Sequence, residues 1–311
     1  MKKILCLFLL AACYTVGYSN NFKSNNLNEI NSYYITEKGK SYMRKDLASS
    51  EDNKFGLSGS IQNIEYVNGT SEFDKNSDYR GYSAKTQGFV TGTSSEFNTT
   101  GNSMWLTGVS FGYLRSEIDY DEDFGKDDAE TLGVNAYLGY NKNDYMLITY
   151  IGGALGDNDK SGDKDNLLVG IEGGKFFTIC KKNKLYPYVS LEGSRVYSDN
   201  YSYSNVSYDK TIENYTKFNL GLDYDIKFEK IELKLFGKYT DVLNDDNEIT
   251  VEENGLKREI STFDSYKDGV SFGGTLAYYI EKDLYVALDI FTAITDDTDD
   301  LITSFRLGHI F

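Results

Sequence analysis

The chain has 311 residues, with 48 acidic against 32 basic side chains, a net charge of −16, one histidine, one proline and three cysteines. Its mean hydropathy of −0.47 excludes a bundle of membrane helices, each of which needs roughly 20 apolar residues. The acid excess excludes a nucleic-acid binder, which needs clustered Lys and Arg, and a lone histidine leaves little for zinc or for a histidine-based nucleophile.

The first residues read as an export signal. Lys2 and Lys3 precede the apolar stretch Ile4 to Ala12, which is too short to anchor in a bilayer. Gly17 and Ser19 are small residues two apart, so cleavage falls between Ser19 and Asn20. Leu10-Ala11-Ala12-Cys13 also matches a lipobox, in which Cys13 becomes the lipidated first residue. Both readings stay open, and both take the chain out of the cytoplasm. Cleavage at Ser19 leaves Cys180 as the single thiol, so no intramolecular disulfide forms. Segment 1–19 is therefore the leader, 20–54 a short N-terminal segment, and 55–311 the body.

The body alternates with a period of two. In Phe218 to Phe228 one face is Phe, Leu, Leu, Tyr, Ile, Phe and the other Asn, Gly, Asp, Asp, Lys. Leu284, Val286, Leu288 and Ile290 alternate with Tyr285, Ala287 and Asp289 in the same way. Such sets lie on opposite faces of a sheet. Soluble strands average about 5–6 residues, whereas crossing a membrane takes roughly 9–11 tilted ones, and these segments match the longer figure. Aromatics make up 15% of the chain, and many sit at strand ends, where a membrane barrel carries its girdles. Charged residues on the second face would be costly in a dry core and are at ease in a polar lumen. The predicted fold is all-β: a transmembrane, antiparallel outer-membrane barrel of about twelve strands, at 55–67, 81–97, 104–119, 130–142, 144–156, 165–178, 184–197, 214–228, 230–243, 269–281, 283–295 and 301–311. Even-numbered connections are short. Odd-numbered ones are longer or acidic, among them Tyr120 to Ala129, Asp157 to Lys164, Ser198 to Glu213, Asn244 to Asp268 and Asp296 to Asp300. Short periplasmic turns and longer extracellular loops alternate in that way.

The last strand ends on Phe311, with His309, Leu307 and Phe305 at every second position before it. A terminal aromatic preceded by alternating apolar residues resembles the strand by which outer-membrane barrels engage their assembly machinery. His309 then reads as an interfacial ring near the periplasmic rim, since no Ser or Asp is placed to make it a catalytic base.

The stretch Val169-Gly170-Ile171-Glu172-Gly173-Gly174-Lys175-Phe176-Phe177, followed after a turn by Leu185-Tyr186-Pro187-Tyr188-Val189-Ser190-Leu191, resembles the translocator barrel of autotransporters (type V secretion). Gly133 to Tyr140 and the closing Phe305 to Phe311 are further echoes, and Arg44 and Leu47 sit where that family has a basic helix entering the barrel. The resemblance covers about 45–311. It implies an outer-membrane location in a Gram-negative bacterium and partners in outer-membrane lipid and the barrel assembly machinery. Autotransporters carry a long passenger ahead of the barrel, whereas only Asn20 to Lys54 intervenes here, so the expectation is little or no passenger. Asn28 to Ala48 is expected either as a polar helix in the lumen, with Tyr33, Tyr34, Tyr42 and Leu47 touching the wall, or as a disordered tail.

Alternation turns Glu172, Glu192, Asp223, Asp225, Lys234, Lys238, Asp289 and Arg306 inward. Glu172 and Glu192 are expected near each other, or near Arg195 or Arg306. Paired carboxylates can do acid–base work, but here they are expected to pair with lumenal bases or a plug helix, and nothing amounts to an enzyme's catalytic constellation. Asp157 to Asp165 looks like a calcium loop, yet position twelve is Leu168 rather than Glu, so it reads as a solvated loop. No metal or cofactor is implied. The expected function is a membrane-anchored surface protein whose acidic loops face outward as an adhesive or antigenic surface toward a host or cell-surface ligand. The alternative is a channel for small solutes.

Overall fold

The computed structural model describes residues 27–49, 61–73, 81–100, 103–121, 125–159, 162–180, 183–203, 206–244, 248–253, 256–261, 268–281, 283–295 and 298–310. Cys13, Ser19, Asn20, Asp296, Asp297 and Phe311 lie outside them. In chain order the elements are helix α1 (Leu27–Ser49) and strands β1 (Ile61–Phe73), β2 (Tyr82–Thr100), β3 (Ser103–Tyr120), β4 (Lys126–Lys142), β5 (Tyr145–Asn158), β6 (Lys164–Lys175), β7 (Phe177–Cys180), β8 (Asn183–Ser198), β9 (Tyr201–Tyr203), β10 (Val206–Tyr208), β11 (Thr211–Lys227), β12 (Ile231–Val242), β13 (Glu248–Glu253), β14 (Leu256–Ser261), β15 (Gly269–Tyr279), β16 (Leu284–Thr295) and β17 (Thr298–Ile310).

Strands β1–β6, β8, β11, β12 and β15–β17 pair antiparallel, each with the next, into a closed twelve-stranded barrel. The ring is complete because β8 pairs with β11 and β1 runs beside β17 from Ile61↔Ile310 to Phe73↔Thr298. Alternation along each strand decides its two faces. On β3, Val109, Phe111 and Tyr113 are exposed while Ser110, Leu114 and Ile118 are buried. Ile64, Phe89, Val134, Ile151 and Leu220 continue that exposed apolar surface around the ring. An apolar belt of this extent is what hydrocarbon, not water, solvates. Trp105 and Tyr140, with ring centroids 4.5 Å apart, and the exposed Tyr145 stand at the end of the barrel that carries the short turns, where an aromatic girdle belongs.

One of those turns is Asn143-Asp144, where both residues have positive φ, 50° and 67°. That is the type I′ geometry whose twist matches the flanking strands, and glycine relieves its strain at the second position. Asp144→Gly should therefore stabilise the barrel by up to about 1 kcal/mol. A thermal midpoint of heat-modifiable gel migration that fails to rise would contradict this.

Several boundaries differ from expectation. β1 runs to Phe73 rather than stopping at 67, because its polar end Asn68 to Ser71 finds ladder partners in β2 and β17. β17 begins at Thr298 rather than 301. The two longest connections are not simple loops: β9, β10, β13 and β14 form a separate four-stranded sheet in the order β14-β13-β10-β9. Its central pairing, Val206↔Glu253 to Tyr208↔Val251, joins segments remote in sequence. At its base Lys210 binds Asp199 at 2.9 Å, and this hydrogen bond holds the exposed Lys210 ammonium above its ordinary pKa.

The interior is filled by α1, which packs on β2–β6. Leu27 and Ile30 join Phe73, Tyr82 and Ile118 at the end with the longer connections. Met43 and Leu47 join Met104, Met146 and Phe176 at the short-turn end. Between them, Ile35 sits over Gly112 and Gly133, where added Cβ atoms would lie 2.6 and 2.9 Å from its side chain.

Candidate functional site: the helix-filled lumen

Helix α1 spans 23 residues, about 35 Å at 1.5 Å per residue, enough to cross the barrel. It is polar on every side, so it lacks the apolar stripe that holds an ordinary helix to a core, and alone in water such a helix would be marginal. What holds it, beside the apolar contacts of Leu27, Ile30, Ile35, Met43 and Leu47, is a set of buried ion pairs with the wall.

Arg44 Nη1 donates to Glu172 Oε1 at 3.0 Å and Oε2 at 2.8 Å, while its Nε lies 3.2 Å from Asp223 Oδ2. Asp223 is shared with Lys234 at 2.8 Å. Lys40 binds Glu37 on its own helix and lies 3.9 Å from Glu192, whose carboxylate also accepts from Tyr150 at 2.7 Å. Lys38 binds Glu65 at 2.6 Å, and Glu65 accepts in addition from Tyr34 at 2.9 Å, Tyr42 at 2.7 Å and Ser304. Arg306 donates to Asp289 at 3.1 Å, with Lys38 3.8 Å from the same carboxylate. Lys45 pairs with Glu232 at 3.6 Å and lies over the Tyr285 ring at 4.1 Å. Lys238 reaches back to Glu37 at 3.2 Å. A buried charge without a partner is heavily penalised, and here Glu65, Glu172, Glu192, Asp223, Glu232 and Asp289 of the wall each meet a base.

The direction of α1 follows from its ends. Glu29 faces Lys164 at 3.6 Å and Asn28 accepts from Thr131 at 2.7 Å, both toward the longer connections. Asn141, beside the Asn143-Asp144 turn, donates to Leu47 O at 3.0 Å. The helix thus runs from the long-connection end to the short-turn end, where β1 begins.

Gly39 marks the closest approach. An added Cβ there would overlap the phenol of Tyr137, and that ring is clamped, its hydroxyl donating to Thr36 O at 3.2 Å and sharing a hydrogen bond with Ser110 at 2.9 Å. Helix propensity alone favours alanine over glycine by about 1 kcal/mol, whereas overpacking costs about 1–3 kcal/mol. Gly39→Ala should therefore loosen the seat, and in a Tyr137→Ala background the same change should become neutral or stabilising. Thermal midpoints of the four chains in that cycle decide the sign.

Glu172, Glu192, Asp223, Lys234, Lys238, Asp289 and Arg306 are all buried on the inner wall, and half-buried Asp225 lies opposite Lys234 in the β11–β12 ladder. The expected company of Glu172 and Glu192 needs correction. Arg195 is three residues from Glu192, an odd step that turns it to the outer face, where it is exposed and donates to Asn214 Oδ1 at 2.7 Å. Arg306 is taken by Asp289, and it is Arg44 and Lys40 of α1 that answer the two glutamates. Phe305 and Leu307 lie in the outer belt; His309, expected to have no Asp beside it, is 3.7 Å from Asp283 at the short-turn rim, because Asp283 lies just before Leu284, the ladder partner of His309. Sequence reasoning missed Glu65, which the period of two on β1 places inward with Asn63 and Val67. It also missed Glu37, whereas alternation on β12 puts Glu232 on the inner face with Lys234 and Lys238. Among the described residues no group of three His, Cys, Asp or Glu is placed to hold a metal ion.

The family model of the autotransporter beta-domain matches residues 64–290. No curated protein matches the chain. The transport unit of the autotransporter AIDA-I from Escherichia coli is 11% identical with a TM-score of 0.58, covering 88% of this chain and 98% of its own. For the translocator domain of the autotransporter NalP from Neisseria meningitidis the figures are 11%, 0.57, 90% and 99%. The COG4313 outer membrane channel from Pseudomonas putida F1 is 13% identical with a TM-score of 0.54, over 82% of this chain and 96% of its own.

Proposed function

The chain belongs to the autotransporter beta-domain family, and from that premise we propose that it is an outer-membrane barrel, closed by its own helix, that anchors a display surface at the cell exterior. The long-connection end faces outward and the short turns face the periplasm. Residues 1–19 serve as the export leader, and the alternating residues Phe305, Leu307, His309 and Phe311 are the handle for the assembly machinery. The four-stranded sheet of β9, β10, β13 and β14 is the part offered to a host or cell-surface ligand. The observation that carries this reading is the seating of α1. Its buried ion pairs fill the lumen, and its first residue, Leu27, lies at the end of the barrel that carries the four-stranded sheet.

The test is labelling of intact cells with a membrane-impermeant maleimide, in a background lacking Cys180. A cysteine at Ser207, which is exposed on β10, should react at once, whereas one at Asn143 should react only after the outer membrane is permeabilised. The reverse order would overturn the orientation. The purified chain should also be electrically silent in planar bilayers; steady conductance would instead favour a solute channel, the reading suggested by its likeness to the Pseudomonas putida channel.

A further inference from the structure

The outer face of the barrel carries a feature that the lumen does not use. Across β4, β5, β6, β8 and β11 the surface sinks into an apolar groove of about 710 Å³. Ile151, Val169, Ile171 and Leu191 wall it, and Thr216 closes it on β11. The groove exists because Gly193 offers no side chain: an added Cβ would meet only a Val169 methyl at 3.8 Å.

Arg195 stands at the next outward position on β8, about 7 Å further toward the long-connection end. Its ladder neighbours are Leu167 on β6 and Asn214 on β11, and Asp165, opposite Tyr197, lies one outward position beyond. Among the described residues no carboxylate forms an ion pair with Arg195. By contrast Arg115, also on the outer face, binds Asp128 at 3.1 Å. The bond from Arg195 Nε to Asn214 Oδ1 at 2.7 Å fixes the guanidinium and leaves its Nη edge for an anion. A cation on the bilayer-facing surface is unfavourable unless it meets a headgroup, and guanidinium is shaped for two-pronged binding of phosphate.

We infer that this groove seats one acylated lipid with a phosphate-bearing headgroup, its acyl chain lying along the groove and its phosphate held by Arg195. The groove is continuous with the apolar belt, so the occupant comes from the membrane. Free phosphate would leave the apolar floor bare.

Native mass spectrometry of the detergent-extracted full chain tests this, with lipid A, phosphatidylglycerol and dephosphorylated lipid A offered separately. The wild-type chain should retain one molecule of at least one of the two phosphate-bearing lipids, about tenfold more firmly than dephosphorylated lipid A, as expected for a charge-assisted pair. Which of the two binds better reports the leaflet. Arg195→Gln should erase the preference and leave the dephosphorylated lipid unaffected, whereas Gly193→Leu, which fills the groove, should weaken all three. Both variants must keep heat-modifiable migration, which shows a folded barrel. Equal retention of phosphorylated and dephosphorylated lipid by the wild-type chain, or an Arg195→Gln chain that keeps the preference, would overturn the proposal. So would a dimer that Gly193→Leu abolishes, since the groove would then seat a second copy.

Discussion

A chain that begins at Lys54, and so lacks α1, should conduct, and should prefer cations. Among the described residues, the buried ionisable groups of the strands are nine carboxylates against six bases. In the intact protein Lys38, Lys40, Arg44 and Lys45 of α1 answer Glu65, Glu192, Glu172 and Glu232 across the lumen. A helix with its side chains is about 10–12 Å wide, so removing it vacates most of the interior of a barrel only moderately wider than an eight-stranded one. The uncovered carboxylates then hydrate and line a water-filled path, and acidic rings select cations. Single-channel recording in a salt gradient checks both parts. The full chain should be closed, and the shortened one should conduct with a reversal potential displaced toward that of the cation. A shortened chain that remains closed, or that prefers anions, would show that α1 is not what blocks the lumen or that the wall charges are paired among themselves.

Arg44→Met should have the largest effect of any single change in the lumen. It removes both hydrogen bonds to Glu172 and the contact with Asp223, and it takes the guanidinium from its place 4.8 Å over the Tyr188 ring. Breaking a buried pair by removing one partner costs about 3–5 kcal/mol, because the remaining charge is stranded. Asp223 keeps Lys234 at 2.8 Å, so most of that cost falls on Glu172. The expected outcome is a lowered thermal midpoint and the appearance of brief openings in bilayers. Arg44→Lys should lie between, since an ammonium cannot span Glu172 and Asp223 as the guanidinium fork does. Replacing both partners of a buried pair is often nearly neutral, so Arg44→Met with Glu172→Gln should recover most of the loss. If the double variant is as weak as the single one, stranded charge is not the cause.

Much of the barrel was legible because strand alternation is a local property. Phe218, Leu220 and Leu222 against Asn219 and Asp223 already separate a lipid face from a lumen face, and the structure exposes the first set and buries the second. The same logic misled for β1, whose polar end becomes strand once its neighbours supply a ladder. It also failed for β9, β10, β13 and β14, which are three to six residues long and exist as a sheet because two distant connections meet. Period two says that Glu172 and Glu192 point inward; it does not say to what. Their partners lie on α1, Arg44 being 128 positions from Glu172, and no local rule reaches that far.

Gly39 shows the same division at one residue. In the sequence it weakens a helix; in the structure it is where the helix meets Tyr137. The sequence by itself determined which residues face lipid, which face the interior and how many strands close the ring, because side-chain direction along a strand depends only on position parity. Only the tertiary structure decided that α1 fills the lumen and runs from the long-connection end to the short-turn end. A helix polar on every side has no preferred face of its own, and its place is chosen by the wall charges that would otherwise be buried alone.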